Sequence, residues 1–347
     1  MKRFIKAVGT GQRLARDLTS AEAAEAFRLI LSGQATDAQL GAFLVALRIK
    51  GESVDEMISF VNVAREGLRR IEVSKERLLD VGLPYDGKKK TPHVAPLIAL
   101  IAAGAGARAM LHSDRQVPPK YGFTIEDVLE KMGLDTQASS AAARETLEQT
   151  GLAYLSASEM HPAFHSLKRV RVEINLRTFL NNVEKLWNPA DASHQLVSVY
   201  HGPFLPTIAQ SLAADKRNHA LVVQGIEGST DVWPHRPTKG LHVHDGKVTE
   251  WAIIPKDLGF GMGGMPAWEA LAQPDANAAA IDRTLAGEVG DFQDWALLNA
   301  AIWIWLSGVA ADVKDGLVAA RKSLESGAAA QKLRLWKAIK SSAKIRA

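Results

Sequence analysis

The side chains in this sequence that could do chemistry include several clusters of cationic groups. The candidate phosphate-binding residues are Lys88, Lys89, Lys90, Arg115, Lys120, Lys168, Arg169, Arg171, Lys332, Arg334, Lys337 and Lys340. Ammonium and guanidinium groups that neutralise several phosphates of a nucleic-acid backbone bind it in a salt-dependent way that is largely indifferent to base sequence. A cluster of lysines is also common on a solvated loop, so the charges alone leave both interpretations open.

The net charge hides this clustering. The chain of 347 residues has a formal net charge of +4, yet its last seventeen residues, QKLRLWKAIKSSAKIRA, contain six Lys or Arg and no acid. The spacing of Leu333, Leu335, Trp336 and Ile339 predicts an amphipathic helix there, with the cations on its other faces. Such a helix could present a basic stripe, dock on the rest of the chain with solvated lysines, or touch anionic lipid.

Composition and motif content exclude several classes of function. The sequence has no cysteine, which rules out disulfides and thiolate chemistry and makes the cytoplasm the expected location. The first residues lack the apolar core of a secretory signal, and the longest apolar run, at 297–310, is too short to cross a bilayer. We therefore expect a buried helix there and no membrane partner. No helix-turn-helix, zinc-ligand or RNP-like pattern supports base-specific recognition.

The elements that must position these residues change along the chain. Thr19, Thr36 and Ser53 each open a capping box, with Glu or Gln three residues later, which predicts a small helical unit at the start. From Leu79 onward the β-rich runs LLDVG, RAMLH, LAYLSA, LVSVY and HALVVQG alternate with helical stretches, which predicts a mainly parallel sheet covered by helices. The Asp-Gly pair at 245–246 lies between two alternating runs and predicts a β-hairpin.

The predicted fold class is α/β, with a small all-α N-terminal domain and a larger α/β domain around a central, mainly parallel sheet. Helical segments between Met160 and Lys185 interrupt the strand series and could return to pack on the N-terminal helices. We therefore assign residues 1–78 and about 160–187 to the small domain, and residues 79–159 and 188–347 to the large one.

The order of motifs resembles the anthranilate phosphoribosyltransferase family over nearly the whole chain. The stretch LTSAEAAEAFRLILSGQATDAQLGAFLVALRIKGESVDEM is similar to the family's N-terminal helices, and LLNAAIWIWLSGVAADVKDGLVAARKSLESGAA to its closing helices. Between them, HPAFHSLKRVRVEINLRTFLNNVEKLWNPA keeps the family's frame of HPA, VR, RT and NPA. The resemblance implies a small α domain, a larger α/β domain, a cleft between them, and a homodimer formed through the α domain.

The resemblance also implies a phosphoribosyl pyrophosphate site, much of which this chain has lost. The family's GTGGDG turn is matched by residues 82–87, where Pro84 and Tyr85 remove a backbone donor and add bulk. The TFNIST motif that follows is matched by TPHVAP, of which only Thr91 agrees. The lysine of the KHGNR loop is replaced, and Asp114 stands for its asparagine. We therefore expect no anthranilate transfer and assign no catalytic residue.

The magnesium site of the family is reduced in the same way. Its acidic pair in VVHG-x-DGLDE aligns with Thr230 and Asp231, so that Asp231 is the single remnant ligand, and Mg²⁺ prefers several hard oxygen ligands. We expect no cofactor, with Mg²⁺ only if the chain is a transferase. The remnant substrate cleft is predicted at Gly82, Asp86, Gly87, Thr91, His112 and Arg171.

One function is preferred among three. The pattern resembles a non-biosynthetic, DNA-binding branch of the family, the YbiB-like branch, which also has the G-x-G and A-R-D-L stretch found here at 9–18 and the ALRIKGE motif at 46–52. We predict a dimeric, sequence-nonspecific protein that binds a DNA or RNA backbone in a cleft between the clusters at 88–90 and 168–171. The alternatives are a phosphoribosyl or glycosyl transferase with an unidentified substrate, and a regulatory small-molecule binder with an aromatic-acid pocket around Arg171.

Overall fold

The chain begins with four helices and continues as strands that alternate with helices. The computed structural model describes residues 1–11, 13–115, 117–215, 219–261 and 267–345, with side chains up to residue 339. The α-helices over these residues are α1 (Lys2–Gly9), α2 (Ser20–Leu31), α3 (Asp37–Lys50), α4 (Val54–Glu66), α5 (Ala95–Gly104), α6 (Ile125–Lys131), α7 (Ser140–Thr150), α8 (Ala157–Met160), α9 (Pro162–His165), α10 (Lys168–Ile174), α11 (Leu180–Val183), α12 (Leu205–Ala214), α13 (Pro274–Leu285), α14 (Asp291–Leu306), α15 (Val313–Glu325) and α16 (Ala328–Ile345). The strands are β1 (Leu78–Gly82), β2 (Arg108–Ser113), β3 (Leu152–Ser156), β4 (His194–Ser198), β5 (His219–Val223), β6 (Thr238–His244) and β7 (Lys247–Ile253).

Capping boxes begin α2, α3 and α4, as the sequence predicts. Thr19, Thr36 and Ser53 each accept a hydrogen bond from the backbone N–H three residues on, and the Glu or Gln side chain there accepts one in return. Gly51 then ends α3 with a φ of 84°, a left-handed value that favours glycine. The start of the chain is therefore the small helical unit that was expected.

Four phenylalanines join this unit to a later segment of the chain. Phe179, which precedes α11, lies 5.5 Å from Phe27, 6.3 Å from Phe43 and 4.3 Å from Phe60 between ring centroids. Aromatic contacts at such separations add to the burial of the rings themselves. The helical segment after β3 thus returns to the N-terminal helices, as predicted, although the exact domain boundaries stay a prediction.

The strands form one seven-stranded sheet in the order β3-β2-β1-β4-β5-β6-β7. The first five strands in that order are parallel, and β6 and β7 are antiparallel. The α/β class and the mainly parallel sheet are therefore confirmed. The chain runs outward from β1 in one direction and from β4 in the other, so the loops that follow these two neighbouring strands diverge. In open α/β sheets such a switch point leaves a crevice at the carboxyl ends of the strands.

The last two strands form the predicted hairpin. Asp245 and Gly246 connect β6 to β7 with φ values of 49° and 74°, which suit the two-residue turn typical of an Asp-Gly hairpin. His244 pairs with Lys247 across the turn. The hairpin extends the parallel sheet on the β5 side.

Two predicted helices near the end of the chain are present, with one difference. The apolar run becomes α14, whose Trp295 and Trp303 are fully buried, and no described helix is long and apolar enough to span a membrane. In α16, Leu333 and Trp336 are buried, but Leu335 is 42% exposed. The prediction that Leu335 shares their face is wrong, because two residues turn about 200° around a helix.

Candidate active site

The crevice at the switch point is a narrow cavity of about 20 Å³ at the carboxyl ends of the central strands. Tyr85 and Asp86 reach it from the loop after β1, Tyr200 from the loop after β4, and Gly228 from the loop after β5. Residues of the segment 177–185 line another side of it. The site is therefore built where the sheet topology alone would place a ligand.

Asp86 is the centre of the charged groups in this cavity. Its carboxylate pairs with the Arg177 guanidinium and lies 3.3 Å from the Lys120 ammonium. The guanidinium lies 3.9 Å from the centroid of the Tyr200 ring, and Lys120 also donates to the backbone carbonyl of Glu227 at 2.6 Å. Burial lowers the pKa of Lys120, and Asp86 opposes that shift. Two cations around one carboxylate favour an anionic group in the cavity.

Lys185 adds a third cation, which sequence reasoning did not select. Its ammonium is buried and donates to the Ser198 carbonyl, the Ser198 hydroxyl and the Gly228 carbonyl, all at 3.1 Å. Burial lowers the pKa of Lys185 to about 8, and Asp86 opposes that shift. Because these acceptors belong to the end of β4 and to the loop after β5, Lys185 connects two parts of the cavity wall.

Lys88 does not lie on a cationic wall, and its prediction as a phosphate ligand is wrong. The side chain is fully buried, and its ammonium donates to the Pro92 carbonyl at 2.7 Å and to Asp231 at 2.8 Å. It also lies 5.2 Å from the Trp295 ring. A buried charge needs such partners, because moving a charged group out of water without a partner costs much free energy.

Asp231, the predicted remnant metal ligand, is the partner of Lys88 in this ion pair. One oxygen of Asp231 accepts from Lys88 and from the Ser229 hydroxyl at 2.9 Å, and Thr230 replaces the second acid. The other oxygen of Asp231 is buried without a hydrogen-bond partner among the described residues. Mg²⁺ requires several hard oxygen ligands, whereas this carboxylate is already neutralised by an ammonium group. The donor set does not fit a protein-held magnesium ion.

Glu227 occupies a group of donors that resembles a phosphate cradle. Its carboxylate accepts from the backbone N–H groups of Lys89, Lys90 and Thr91 at 3.1, 3.1 and 3.0 Å, and from the Thr91 hydroxyl at 2.8 Å. Burial raises the pKa of Glu227, but these hydrogen bonds outweigh it and hold the pKa below its usual value. Successive backbone N–H groups form anion-binding concavities. Here the anion is the carboxylate of Glu227 itself, whose backbone has a left-handed φ of 52°.

Arg171, the predicted aromatic-acid arginine, is also paired internally. It donates to both oxygens of Glu184 at 2.7 and 3.0 Å, and both side chains are buried. Burial lowers the pKa of Arg171, but Glu184 outweighs it and the net shift is upward. Glu184 lies between apolar residues in VEKLW, and a charge in such surroundings is a sequence signal for a buried partner that we did not use.

The other predicted cleft residues are mostly structural. His112 is buried between Tyr85, whose hydroxyl lies 2.6 Å from Nδ1, and Asp80, 3.3 Å from Nε2. A Cβ on Gly82 would lie 2.6 Å from the Lys185 carbonyl oxygen. A Cβ on Gly87 would lie 2.3 Å from a backbone oxygen, and Gly87 has a φ of 72°. The structure brings Asp86 into the cavity and places the two glycines in close backbone packing.

The remaining predicted cations do not form one basic surface across a cleft. Arg115 pairs with three acids of α6 and its cap region, the nearest contact being 2.6 Å to Glu130. Lys168 lies 3.7 Å from Asp114, and Arg169 pairs with Asp37. The described residues therefore neutralise these charges locally, which leaves little field for a phosphate backbone.

Five of the predicted cations face solvent among the described residues. Lys89 and Lys90 are exposed, as are Arg169 on α10 and Arg334 and Lys337 on α16. Lys332 on the same helix is partly buried, and burial lowers its pKa. The side chain of Lys340 lies outside the described part of the chain. Nothing in this arrangement joins the α16 cations to those of the loop at 89–90.

Comparisons with known proteins agree along the whole chain. Residues 2–67 match a model described as "Glycosyl transferase family, helical bundle domain", and residues 86–330 match "Glycosyl transferase family, a/b domain". Anthranilate phosphoribosyltransferase of Anaeromyxobacter sp. (strain K) is 38% identical over 92% of this chain and 93% of its own. That of Haloarcula marismortui is 36% identical over 96% of this chain and 98% of its own.

Solved structures show the same likeness. A crystal structure of anthranilate phosphoribosyltransferase from Thermus thermophilus superposes with a TM-score of 0.85 at 30% identity, covering 98% of this chain and 99% of that one. The Saccharomyces cerevisiae enzyme in complex with PRPP and Mg shares the fold, with a TM-score of 0.83 at 20% identity over 98% of both chains. Relatives of this length and name are enzymes, so the prediction of a nucleic-acid-binding protein is wrong.

Proposed function

This chain belongs to the anthranilate phosphoribosyltransferase-like glycosyl transferase family, and from that premise we propose that it is a phosphoribosyl or glycosyl transferase whose acceptor is still to be identified. The observation that carries the proposal is the cavity at the carboxyl ends of β1 and β4, where Asp86 lies between Lys120 and Arg177. Its members come from four separate loops or segments, so the fold keeps them together at one point.

The charges of this cavity suit transfer of a sugar from an anionic leaving group. Such transfer develops positive charge at the reacting sugar carbon and negative charge on the departing group. The Asp86 carboxylate can stabilise the first of these charges, and Lys120 and Arg177 can bind the second. Lys185 connects the end of β4 to the loop after β5, so the groups need little rearrangement when a substrate enters.

The acceptor is not expected to bind as an aromatic acid does in the relatives. Arg171 is the residue that matches the arginine that contacts the aromatic acid in the family. Two nitrogens of its guanidinium already donate hydrogen bonds to the Glu184 carboxylate. A carboxylate ligand would have to displace a buried, bidentate ion pair. The same pair removes the basis for a regulatory aromatic-acid pocket around Arg171.

No transfer step is assigned to a metal. The Asp231 carboxylate is paired with Lys88, and Thr230 offers a hydroxyl in place of an acid. A metal that arrives with a diphosphate substrate would use that substrate's own oxygens. The cytoplasmic location, expected because the sequence has no cysteine, stays a prediction.

We expect release of pyrophosphate from phosphoribosyl pyrophosphate in the presence of a suitable amine or heterocyclic acceptor, measured with a coupled pyrophosphate assay over an acceptor panel. Asp86→Asn and Arg177→Gln should each lower kcat/KM about 100-fold or more, because each removes a charge that acts on the transition state. Asp282→Asn, at an exposed position of α13, is the matched control and should keep the wild-type rate. Release no faster than spontaneous decay with every acceptor would refute the proposed function.

We also propose a homodimer formed through the helical unit. α1 and α3 border a groove of about 560 Å³ with small and apolar walls, including Ala42, Val45 and Ala46. Ile49 at its edge is 70% exposed, and a large apolar residue in that position favours a protein partner. The resemblance to the family supports a second copy of the chain as that partner.

The dimer predicts a particle of about twice 37.5 kDa in light scattering after gel filtration. Ile49→Glu should shift that particle to the monomer mass, because a charge buried in an apolar interface is unpaired. Val318→Glu on α15 is the matched control, since Val318 is 68% exposed outside the groove. A monomeric wild type, or a dimer unaffected by Ile49→Glu, would rule out this interface.

A further inference from the structure

One turn of the chain accepts hydrogen bonds from three lysine ammonium groups that come from separate segments. It comprises residues 225–231, GIEGSTD, between β5 and β6. The three contacts are Lys120 to the Glu227 carbonyl at 2.6 Å, Lys185 to the Gly228 carbonyl at 3.1 Å, and Lys88 to the Asp231 carboxylate at 2.8 Å. Transfer chemistry gives a role to Lys120 but does not explain why all three lysines converge here. We call this segment the lysine-bound turn.

The three ammonium groups are held at fixed positions because they are buried. Lys88 is 0% exposed and Lys185 is 7% exposed, and the side chain of Lys120 is 15% exposed. A charged group removed from water must keep its hydrogen-bond acceptors, because leaving it unpaired is strongly unfavourable. The lysine-bound turn is therefore held by positive charges that are covalently attached to the chain, much as a loop can be held by a bound metal ion.

The Lys88 ammonium bridges two segments of the chain. It donates to the Pro92 carbonyl in the loop after β1 at 2.7 Å and to Asp231 in the lysine-bound turn at 2.8 Å. The Trp295 ring, whose centroid lies 5.2 Å from the nitrogen, covers another side of the ammonium with a face that attracts cations. Oxygen atoms from two different segments are also the ligands that a bridging divalent ion uses, although at shorter distances.

The resemblance to the family implies a magnesium ion at the same turn. The family's acidic pair aligns with Thr230 and Asp231, at the end of the lysine-bound turn. One Asp231 oxygen accepts from Lys88 and Ser229, and the other oxygen and Thr230 Oγ1 are inaccessible to solvent. A Mg²⁺ ion bound to this carboxylate would lie next to the ammonium, where two positive charges repel strongly because little water screens them. The metal ion and Lys88 therefore exclude each other.

We propose that tethered ammonium groups replace a divalent metal ion at the lysine-bound turn, with Lys88 at the position of the ion between Pro92 and Asp231. Lys88 is then a positioning residue, because it fixes the turn beside Lys120 and Lys185 without contacting a substrate. The free protein should bind no Mg²⁺ at Asp231 and should need none to keep this turn in place. The proposal goes beyond the proposed function, since cation binding is measured without substrate and without turnover.

The wild-type protein gives the first test, with Mn²⁺ as a paramagnetic probe of magnesium sites. The electron paramagnetic resonance signal of free Mn²⁺ falls when the ion binds to protein. With the full-length chain and no substrate, we expect no Mn²⁺ site that Asp231→Asn removes, up to about 1 mM free ion, a range in which even weak protein sites for divalent cations fill. The thermal midpoint should be the same in Mg²⁺ and in EDTA, because an ion that does not bind the folded state cannot stabilise it.

Variants at positions 88 and 230 test the position of Lys88. Lys88→Ala/Thr230→Asp removes the ammonium and restores a second acid, so it should bind Mn²⁺ at least about tenfold more tightly than the wild type and be stabilised by it. Thr230→Asp alone should not gain this site, because Lys88 still occupies it. Lys89→Ala/Thr230→Asp is the matched control, since Lys89 is an exposed neighbour in the same lysine run. All variants are prepared with and without Mn²⁺, because two buried acids without a cation destabilise the fold.

Each outcome supports or overturns the replacement of the metal ion. Mn²⁺ binding by the wild type that is lost in Asp231→Asn overturns it. Equal Mn²⁺ binding by Thr230→Asp with and without Lys88 overturns it as well, and so does a folded Lys88→Ala/Thr230→Asp protein that binds no better than the wild type. If that double variant folds under neither condition, the wild-type titration decides alone. If the Mn²⁺ results are as expected but no acceptor leads to pyrophosphate release, the lysine-bound turn stands and the transferase proposal fails.

Discussion

Glu184→Ala should lower the free energy of unfolding by about 3–5 kcal/mol, because it leaves a buried guanidinium without its partner. Arg171 is 4% exposed and Glu184 1% exposed, and their two hydrogen bonds are 2.7 and 3.0 Å long. The loss is measured by urea denaturation. It is much larger than the loss expected for an exposed ion pair, which is about 0–1 kcal/mol.

The ion pair also allows a rescue experiment. In the Glu184→Ala variant, benzoate should raise the thermal midpoint, since its carboxylate can replace the one that was removed. The wild type should show no such rise, because Arg171 is already paired. Glu173→Ala on α10 is the control, as this carboxylate is 61% exposed. A loss below about 1 kcal/mol in Glu184→Ala would show that the pair is not buried in solution.

Lys88→Met should also cost about 3–5 kcal/mol, since it leaves the Asp231 carboxylate buried and unpaired. Lys89→Met is the matched control in the same lysine run. Lys89 is exposed, so its replacement should change stability by less than about 0.5 kcal/mol. The double variant Lys88→Met/Asp231→Leu should recover most of the loss, because both charges leave together. Equal effects at positions 88 and 89 would contradict the burial of Lys88.

Much of the fold was predictable because its signals are local. A capping box such as that of Thr36 lies within four residues, and the Asp-Gly turn at 245–246 determines its own backbone shape. The buried helix α14 follows from an uninterrupted apolar run. The parallel sheet follows from alternating β-rich and helical segments, which require crossovers. These features need no knowledge of distant partners.

The candidate site was less predictable because its contacts are long-range. Lys88 and Asp231 are separated by 143 positions, and Glu227 accepts from a loop about 137 positions away. The sequence shows the lysine run but not which of its members turns inward. Glu184 was detectable in principle, since an acid within VEKLW needs a buried cation.

The nucleic-acid prediction failed for a related reason. It counted cations without their neighbours, although acids that neutralise them were present in the sequence. Arg115 pairs with Glu126, Asp127 and Glu130, which lie within fifteen positions of it. A charge count predicts a surface field only after such pairs are removed. The resemblance to the family's motifs predicted the fold correctly. The absence of the family's phosphate-binding residues was taken as evidence against an enzyme, although the rest of the chain matches the enzymes.

The carboxylate of Glu227 has a consequence for any anion that enters this loop. It is a competitor tethered to the chain, and its effective concentration at the amides of residues 89–91 does not fall on dilution. A free phosphate must therefore bind the minor state in which Glu227 has left, and its apparent dissociation constant increases as that population decreases. By reciprocal linkage, an anion that does bind must increase the population in which the Glu227 carboxylate has left these amides.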